Sequence, residues 1–289
     1  MTQTAGAKFR QAIEQEKPLQ IVGAINAYCA ILAEKSGHKA LYLSGAGVAN
    51  ASYGLPDLGM TTLDNVLEDA RRIVAASDVP LLVDIDVGWD DVAGTIKAME
   101  MAGVAAVHME DQVSQKRCGH RPGKTLVSKE EMGERIKEAV LAKTDESFVV
   151  MARCDALASE GLDAVIERSA YYAQCGADAI FAEAMTDLSH YRDIKDAIGI
   201  PLLANITEFG KTDLYTTDEL YGAGVDMALY PLSAFRAMSK VALDVYQTLL
   251  SAGSQESVIE TMQTREELYD YLDYHTFEKK IDKFLRQEG

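Results

Sequence analysis

Eight short runs rich in β-branched and other apolar residues, at 21–28, 40–46, 80–87, 105–110, 148–155, 179–184, 201–207 and 227–231, alternate along this chain with helical stretches. No other feature restricts the fold as much. The intervening segments are amphipathic or rich in Ala, Glu and Lys, as in Leu63 to Ala76, Lys129 to Ala142 and Leu162 to Cys175. Several end in glycine just ahead of the next run, as at Gly103 and Gly176, the usual way a helix is closed by a left-handed residue. Eight β-α units in 289 residues predict an α/β chain folded as a (β/α)8 TIM barrel, carrying additional C-terminal helices. A doubly wound open sheet is the competing arrangement.

Side-chain parity sharpens this expectation, because alternate residues of a strand point to opposite faces. One parity is polar near the ends of the runs: Tyr42 and Ser44, Asp84 and Asp86, His108 and Glu110, Arg153 and Asp155, Glu183, then Asn205 and Thr207. The other is apolar or small, with Leu43, Ile85, Val107, Met109, Cys154, Ala182 and Ile206. Barrel enzymes build their active sites at the C-terminal ends of the strands, where each of these polar groups falls.

Asp84-Ile85-Asp86 places two carboxylates on one face, spaced to converge on a hard cation. Magnesium suits such a pair, since it keeps several waters and takes only one or two carboxylates. Glu110 and Glu183 could accept hydrogen bonds from those waters. Arg153, an inward arginine, must pair with a neighbour such as Glu183 or Asp155 or bind an anion. Asn205 and Thr207 add neutral donors, and Ser44-Gly45-Ala46-Gly47 lets backbone N–H groups approach a ligand. Together these suggest a substrate with several carboxylates.

The connection 111–127 is long for a compact barrel and reads as a lid. Within it, Lys116-Arg117-Cys118-Gly119-His120-Arg121-Pro122-Gly123-Lys124 sets one thiol among four cationic side chains and a histidine. Such surroundings favour the thiolate and bring the group toward proton exchange near neutral pH. Cys29 and Cys175 read as small core residues and Cys154 as facing the helices, while His38, His190 and His275 have no ionisable constellation nearby in sequence.

Composition excludes other classes. A net charge of −17 argues against nucleic acid and anionic membranes, whose phosphates need a positive face. The four cysteines show no C-x-x-C spacing, so neither a disulfide framework nor a zinc site is expected. No stretch reaches the ~18 apolar residues of a membrane helix, and the start carries no signal-peptide core. A cytoplasmic protein of one domain, 1–289, with a helical tail from about 251, is the expectation.

The chain resembles the lyase branch of the isocitrate lyase and phosphoenolpyruvate mutase superfamily. The resemblance runs from Tyr42-Leu43-Ser44-Gly45 through Pro56-Asp57-Leu58-Gly59, Asp84-Ile85-Asp86, the Lys116 to His120 motif, Asn205 to Gly210 and Pro231 to Arg236, to Thr264-Arg265. It implies a Mg2+-dependent cleavage of 2-methylisocitrate to pyruvate and succinate, a step of propionate breakdown through the methylcitrate cycle. It also implies metal binding by Asp84 and Asp86. Substrate contacts would come from Ser44, Gly45, Ala46, Gly119, Arg153, Glu183, Asn205, Ile206, Thr207, Arg236 and Arg265. Cys118 would be the general acid, with Lys116 and His120 beside it, and Tyr42 and Asp57 are both candidates for the base. Phe181 and Leu229 would leave room for the substrate methyl. The last helices would exchange between subunits of a homotetramer. Sister lyases acting on isocitrate or 2,3-dimethylmalate, and a barrel that binds dicarboxylates without cleaving them, are the alternatives.

Overall fold

The computed structural model describes residues 3–113 and 125–287. Lys116, Cys118, Gly119 and His120, and the roles expected of them, lie outside those residues. Two compact units are present, Met1–Ser233 and Ala234–Gly289.

The first unit is the predicted barrel. Strands β1 (Leu19–Gly23), β2 (Ala40–Leu43), β3 (Leu81–Asp84), β4 (Ala106–Glu110), β5 (Val149–Cys154), β6 (Ala179–Ala182), β7 (Leu202–Asn205) and β8 (Met227–Tyr230) follow one another in chain order. Every neighbouring pair is parallel, and β8 closes onto β1 through Leu19 opposite Met227. Closure excludes the open sheet. The helices Leu63–Ala76 and Lys129–Ala142 fall where the pattern placed them, and Leu162–Gln174 ends one residue early. Gly103 and Gly176 take φ of 83° and 103°, a backbone that a side chain would strain.

Except for β4, which ends at Glu110 as predicted, the strands stop sooner than expected, and the reason is chemical. Beyond Asp84 the carboxylate turns back and accepts the N–H of Asp86 at 3.0 Å, and Asp86 enters the left-handed region at φ 51°. Ser44 likewise opens the helical turn Gly45–Gly47. Ser44, Gly45, Ala46, Asp86, Asp155, Glu183, Ile206 and Thr207 therefore sit just past the strands, on the rim.

Parity separates two cores. Leu19, Ile21, Tyr42, Leu82, Met151, Phe181, Leu203, Met227 and Leu229 fill the barrel, whereas Leu43, Val83, Ile85, Val107, Met109, Val150, Cys154 and Ile206 pack against the surrounding helices. Helix Ala5–Gln15 begins with Thr4 as its cap, accepting the Ala7 N–H, and sends Phe9, Ala12 and Ile13 into the interior core. Phe9 is fully buried, and removing its ring would cost about 3–5 kcal/mol.

The second unit contains the rest of helix Ser233–Ala252 with helices Arg265–Tyr271 and Tyr274–Gln287. Tyr246, Leu250, Phe277, Ile281 and Phe284 on these helices are exposed. Among the described residues, no helix is long and apolar enough to cross a membrane.

Candidate active site

The C-terminal ends of β3 to β6 bring ionisable groups together out of water. Asp84, Asp86, Glu110, Asp155 and Glu183 are all buried, as is Arg153 among them. Arg153 donates side-on to Asp155, Nε to Oδ2 at 2.9 Å and Nη2 to Oδ1 at 3.2 Å. Its Nη1 lies 3.1 Å from Glu110 Oε2 and its Nε 3.3 Å from Glu183 Oε2. Burial works against the guanidinium charge, but Asp155, Glu110, Glu183 and Asp84, in that order, outweigh it and hold Arg153 protonated far above its ordinary range. Asn205 adds its amide, Nδ2 donating to both oxygens of Glu183 at 3.3 and 3.4 Å. The pairing of Arg153 with Asp155 or Glu183, which sequence left open against anion binding, is present.

Asp84 and Asp86 converge beside Gly45. The Gly45 N–H donates to Asp84 Oδ2 at 3.1 Å. A Cβ on Gly45 would stand 3.1 Å from Asp84 Oδ2 and 3.2 Å from Asp86 Oδ1, so a side chain here would press on both acids by a few tenths of an ångström. Two hard oxygens facing one space, amid more carboxylates, fit a small divalent cation that keeps water or substrate oxygens as its other ligands. Among the described residues, no group of three or more His, Cys, Asp or Glu side chains is placed to hold a metal ion by itself.

Tyr42 and His108 form the floor. Tyr42 Oη and His108 Nε2 share a hydrogen bond of 2.8 Å, and Nε2 lies 3.8 Å from Asp84 Oδ1. The His108 ring stacks on Tyr42 and meets Phe181 edge-on, and Arg153 covers the other aromatic partner, 5.3 Å from the Phe181 centroid. Leu229 lies in the same interior core as Phe181. Thr207 is buried on the rim and Asp57 is partly buried in the segment after the turn Val48–Ser52. The Ile206 side chain belongs to the outer core, as its apolar parity predicted, which leaves its backbone for any ligand contact. Arg236 and Arg265 lie in the second unit, both exposed.

Sequence reasoning placed His108 on the polar face without a role, and it missed Asp111, Arg168 and Tyr172. Asp111 is fully buried; burial, then the charge of Asp155, pushes its carboxyl up from the usual range. Arg168 is buried on the same face of helix Leu162–Gln174 as Val165, Ser169 and Tyr172, a placement that requires partners.

Residues 9–250 match the family model described as phosphoenolpyruvate phosphomutase. A 2-methylisocitrate lyase from Shewanella oneidensis is 60% identical over 291 aligned residues, covering 100% of both chains. Among solved structures, a 2,3-dimethylmalate lyase superposes with a TM-score of 0.87 at 31% identity, covering 96% of this chain and 94% of that one. A phosphonopyruvate hydrolase in complex with oxalate and Mg2+ superposes with a TM-score of 0.84 at 25% identity, covering 98% and 99%.

Proposed function

Because this chain belongs to the phosphoenolpyruvate phosphomutase family, we propose that it is a carbon–carbon lyase that cleaves 2-methylisocitrate to pyruvate and succinate. The observation that carries the chemistry is the meeting of Asp84 and Asp86 beside Gly45, within a buried set of carboxylates around Arg153. The relative from Shewanella, alike from end to end, supports the choice of substrate.

Asp84 and Asp86 would hold Mg2+, with Glu110 and Glu183 receiving its waters. When bound, the ion supplies charge neutralisation and Lewis acidity toward the hydroxyl and carboxylate that become pyruvate. Arg153 would meet a substrate carboxylate through Nη1, the nitrogen that lies 3.1 Å from Glu110 Oε2, while Asp155 keeps Nε and Nη2. Asn205, Thr207 and the backbone from Ser44 to Ala46 and at Ile206 complete the grip, joined by Gly119, Arg236 and Arg265 by resemblance. Loss of the hydroxyl proton, to Tyr42 or Asp57, breaks the C2–C3 bond. The electron pair passes to the succinate half as an aci-carboxylate, which the Cys118 thiol then protonates. Lys116 and His120 favour the thiolate this leaves.

Phe181 and Leu229 border the space for the methyl group. One methyl discriminates by only about 1–3 kcal/mol, so slow turnover of isocitrate is expected. The reading places the protein in propionate catabolism through the methylcitrate cycle, in the cytoplasm, as a homotetramer whose C-terminal helices exchange. The test is to incubate the protein with Mg2+ and 2-methylisocitrate, isocitrate or 2,3-dimethylmalate, and to assay pyruvate, glyoxylate and succinate. Pyruvate and succinate from the first acid, at the highest kcat/KM, are expected. No product from any acid would overturn the lyase reading.

A further inference from the structure

Behind the carboxylate cluster a second polar chain runs outward from the barrel. Arg168, on the helix Leu162–Gln174, grips Glu160 with two hydrogen bonds, from Nε at 2.8 Å and Nη2 at 2.9 Å. Its Nη1 turns the other way, donating to the Val127 carbonyl at 3.0 Å and to Tyr172 Oη at 3.1 Å, and lying 3.4 Å from Asp111 Oδ2. Tyr172 in turn donates to Asp111 Oδ2 at 2.8 Å. The second oxygen of Asp111 accepts the Asp155 N–H at 2.9 Å, and the Asp111 N–H donates to the Arg153 carbonyl at 3.2 Å. Residue 111 therefore holds the backbone on both sides of Cys154.

Around the same point, Val127 N–H donates to the Asp111 carbonyl and Val113 N–H to the Thr125 carbonyl, while Arg135 donates to the Gln112 carbonyl at 3.2 Å. Asp111, Asp155 and Tyr172 are fully buried and Arg168 nearly so. Stability does not call for this arrangement: buried ion groups replaced by apolar residues of similar volume often leave a protein as stable or more so. What a fixed polar network supplies is geometry.

We propose that Arg168 is a positioning residue for Arg153. It fixes Asp111 directly and through Tyr172, and Asp111 fixes the backbone of Arg153 and Asp155, so that the Asp155 carboxylate presents the guanidinium at one angle to the substrate. The proposal rests on the reading above that Arg153 binds a substrate carboxylate. A charge-assisted hydrogen bond to a substrate carboxylate tolerates little misalignment, which is why a residue outside the barrel can matter to it.

The experiment compares Arg168→Gln, Arg168→Lys, Tyr172→Phe, Arg153→Lys and the double variant Arg153→Lys/Arg168→Gln. It reads KM and kcat for 2-methylisocitrate, the Kd for succinate at saturating Mg2+, and Tm. Arg168→Gln is expected to raise KM and the succinate Kd roughly tenfold with kcat within about threefold. Arg168→Lys recovers part of this, and Tyr172→Phe moves both constants the same way by less. The double variant binds no worse than Arg153→Lys alone, because both act through one guanidinium. A lowered Tm with unchanged KM and Kd in Arg168→Gln would make the residue a staple and overturn the proposal, as would effects of the two substitutions that multiply. Tyr172→Phe keeps its ring in place and decides the matter if Arg168→Gln does not fold: an unchanged KM there also overturns the proposal. If Arg153→Lys itself leaves KM and Kd unchanged, the carboxylate-binding reading of Arg153 has failed, and the proposal falls with it by a separately visible route.

Discussion

The two ends of the barrel treat carboxylates in opposite ways. At the N-terminal end Asp178 accepts from Arg10 at 2.7 Å, from Lys143 at 3.1 Å and from the Val150 N–H at 2.9 Å. Asp226 repeats the device one strand pair on, accepting from Lys195 at 2.6 Å and the Leu202 N–H at 2.8 Å. Each acid there meets one or two cations and closes a strand junction. At the C-terminal end three acids, Glu110, Asp155 and Glu183, pair with Arg153 while Asp84 and Asp86 meet beside Gly45, and like charges this close repel strongly in a medium poorer than water. The lower rim is complete as folded. Among the described residues the upper rim instead gathers several carboxylates at one arginine, and the contrast separates a stabilising end from a working one.

The largest effect that would break this contrast is at the metal pair. Asp84→Asn is expected to lower kcat/KM by about 10²–10³-fold while Tm in the absence of Mg2+ stays level or rises, since one charge leaves the crowded rim. Saturating Mg2+ should raise the Tm of the parent protein, by about 2.7 kcal/mol of stability at 100 times its Kd, and should not raise that of Asp84→Asn. A fall in metal-free Tm on that substitution would show the upper rim to be a structural brace. Next comes Glu110→Gln, expected to weaken Mg2+ binding by about 10–100-fold in a titration followed by calorimetry, again without loss of metal-free stability. At the other end, Asp178→Ala leaves Arg10, Lys143 and a strand amide without their acceptor, and about 1–3 kcal/mol of unfolding free energy should go. Its kcat and KM at a temperature where it is folded should match the parent's.

How much of this the sequence disclosed follows the same division. Alternation of strand and helix and the parity of Tyr42, Asp84, Glu110, Arg153 and Asn205 are repeated signals, and repetition made the barrel and its polar rim legible. The strand ends were not legible, because Asp86 leaves the sheet by a turn its neighbour's carboxylate stabilises, an event of three atoms that no period records. Asp178 and Asp226 passed unnoticed, since each follows a helix-ending glycine closely and looks like an ordinary turn acid. Arg168 was missed for a related reason: a lone arginine in a helix is solvated far more often than buried. Only the packing of Tyr172 and Asp111 against it distinguishes the two states.

The smallest effect gives the finest test of the division. The Lys195 and Asp226 side chains are 29% and 21% exposed, so water screens the pair and its worth should lie near 0.2–1 kcal/mol. Lys195→Met keeps the aliphatic stem and removes the charge, leaving Asp226 its bond to the Leu202 N–H. A loss of stability below about 1 kcal/mol is expected in urea at low salt, shrinking further in 1 M NaCl, where screening acts within about 3 Å. The Mg2+ Kd and kcat/KM should not move, because the charge lies at the end of the barrel remote from Asp84. A change in either constant would mean that charges on the lower rim are felt at the upper one, and that the two ends form one electrostatic system.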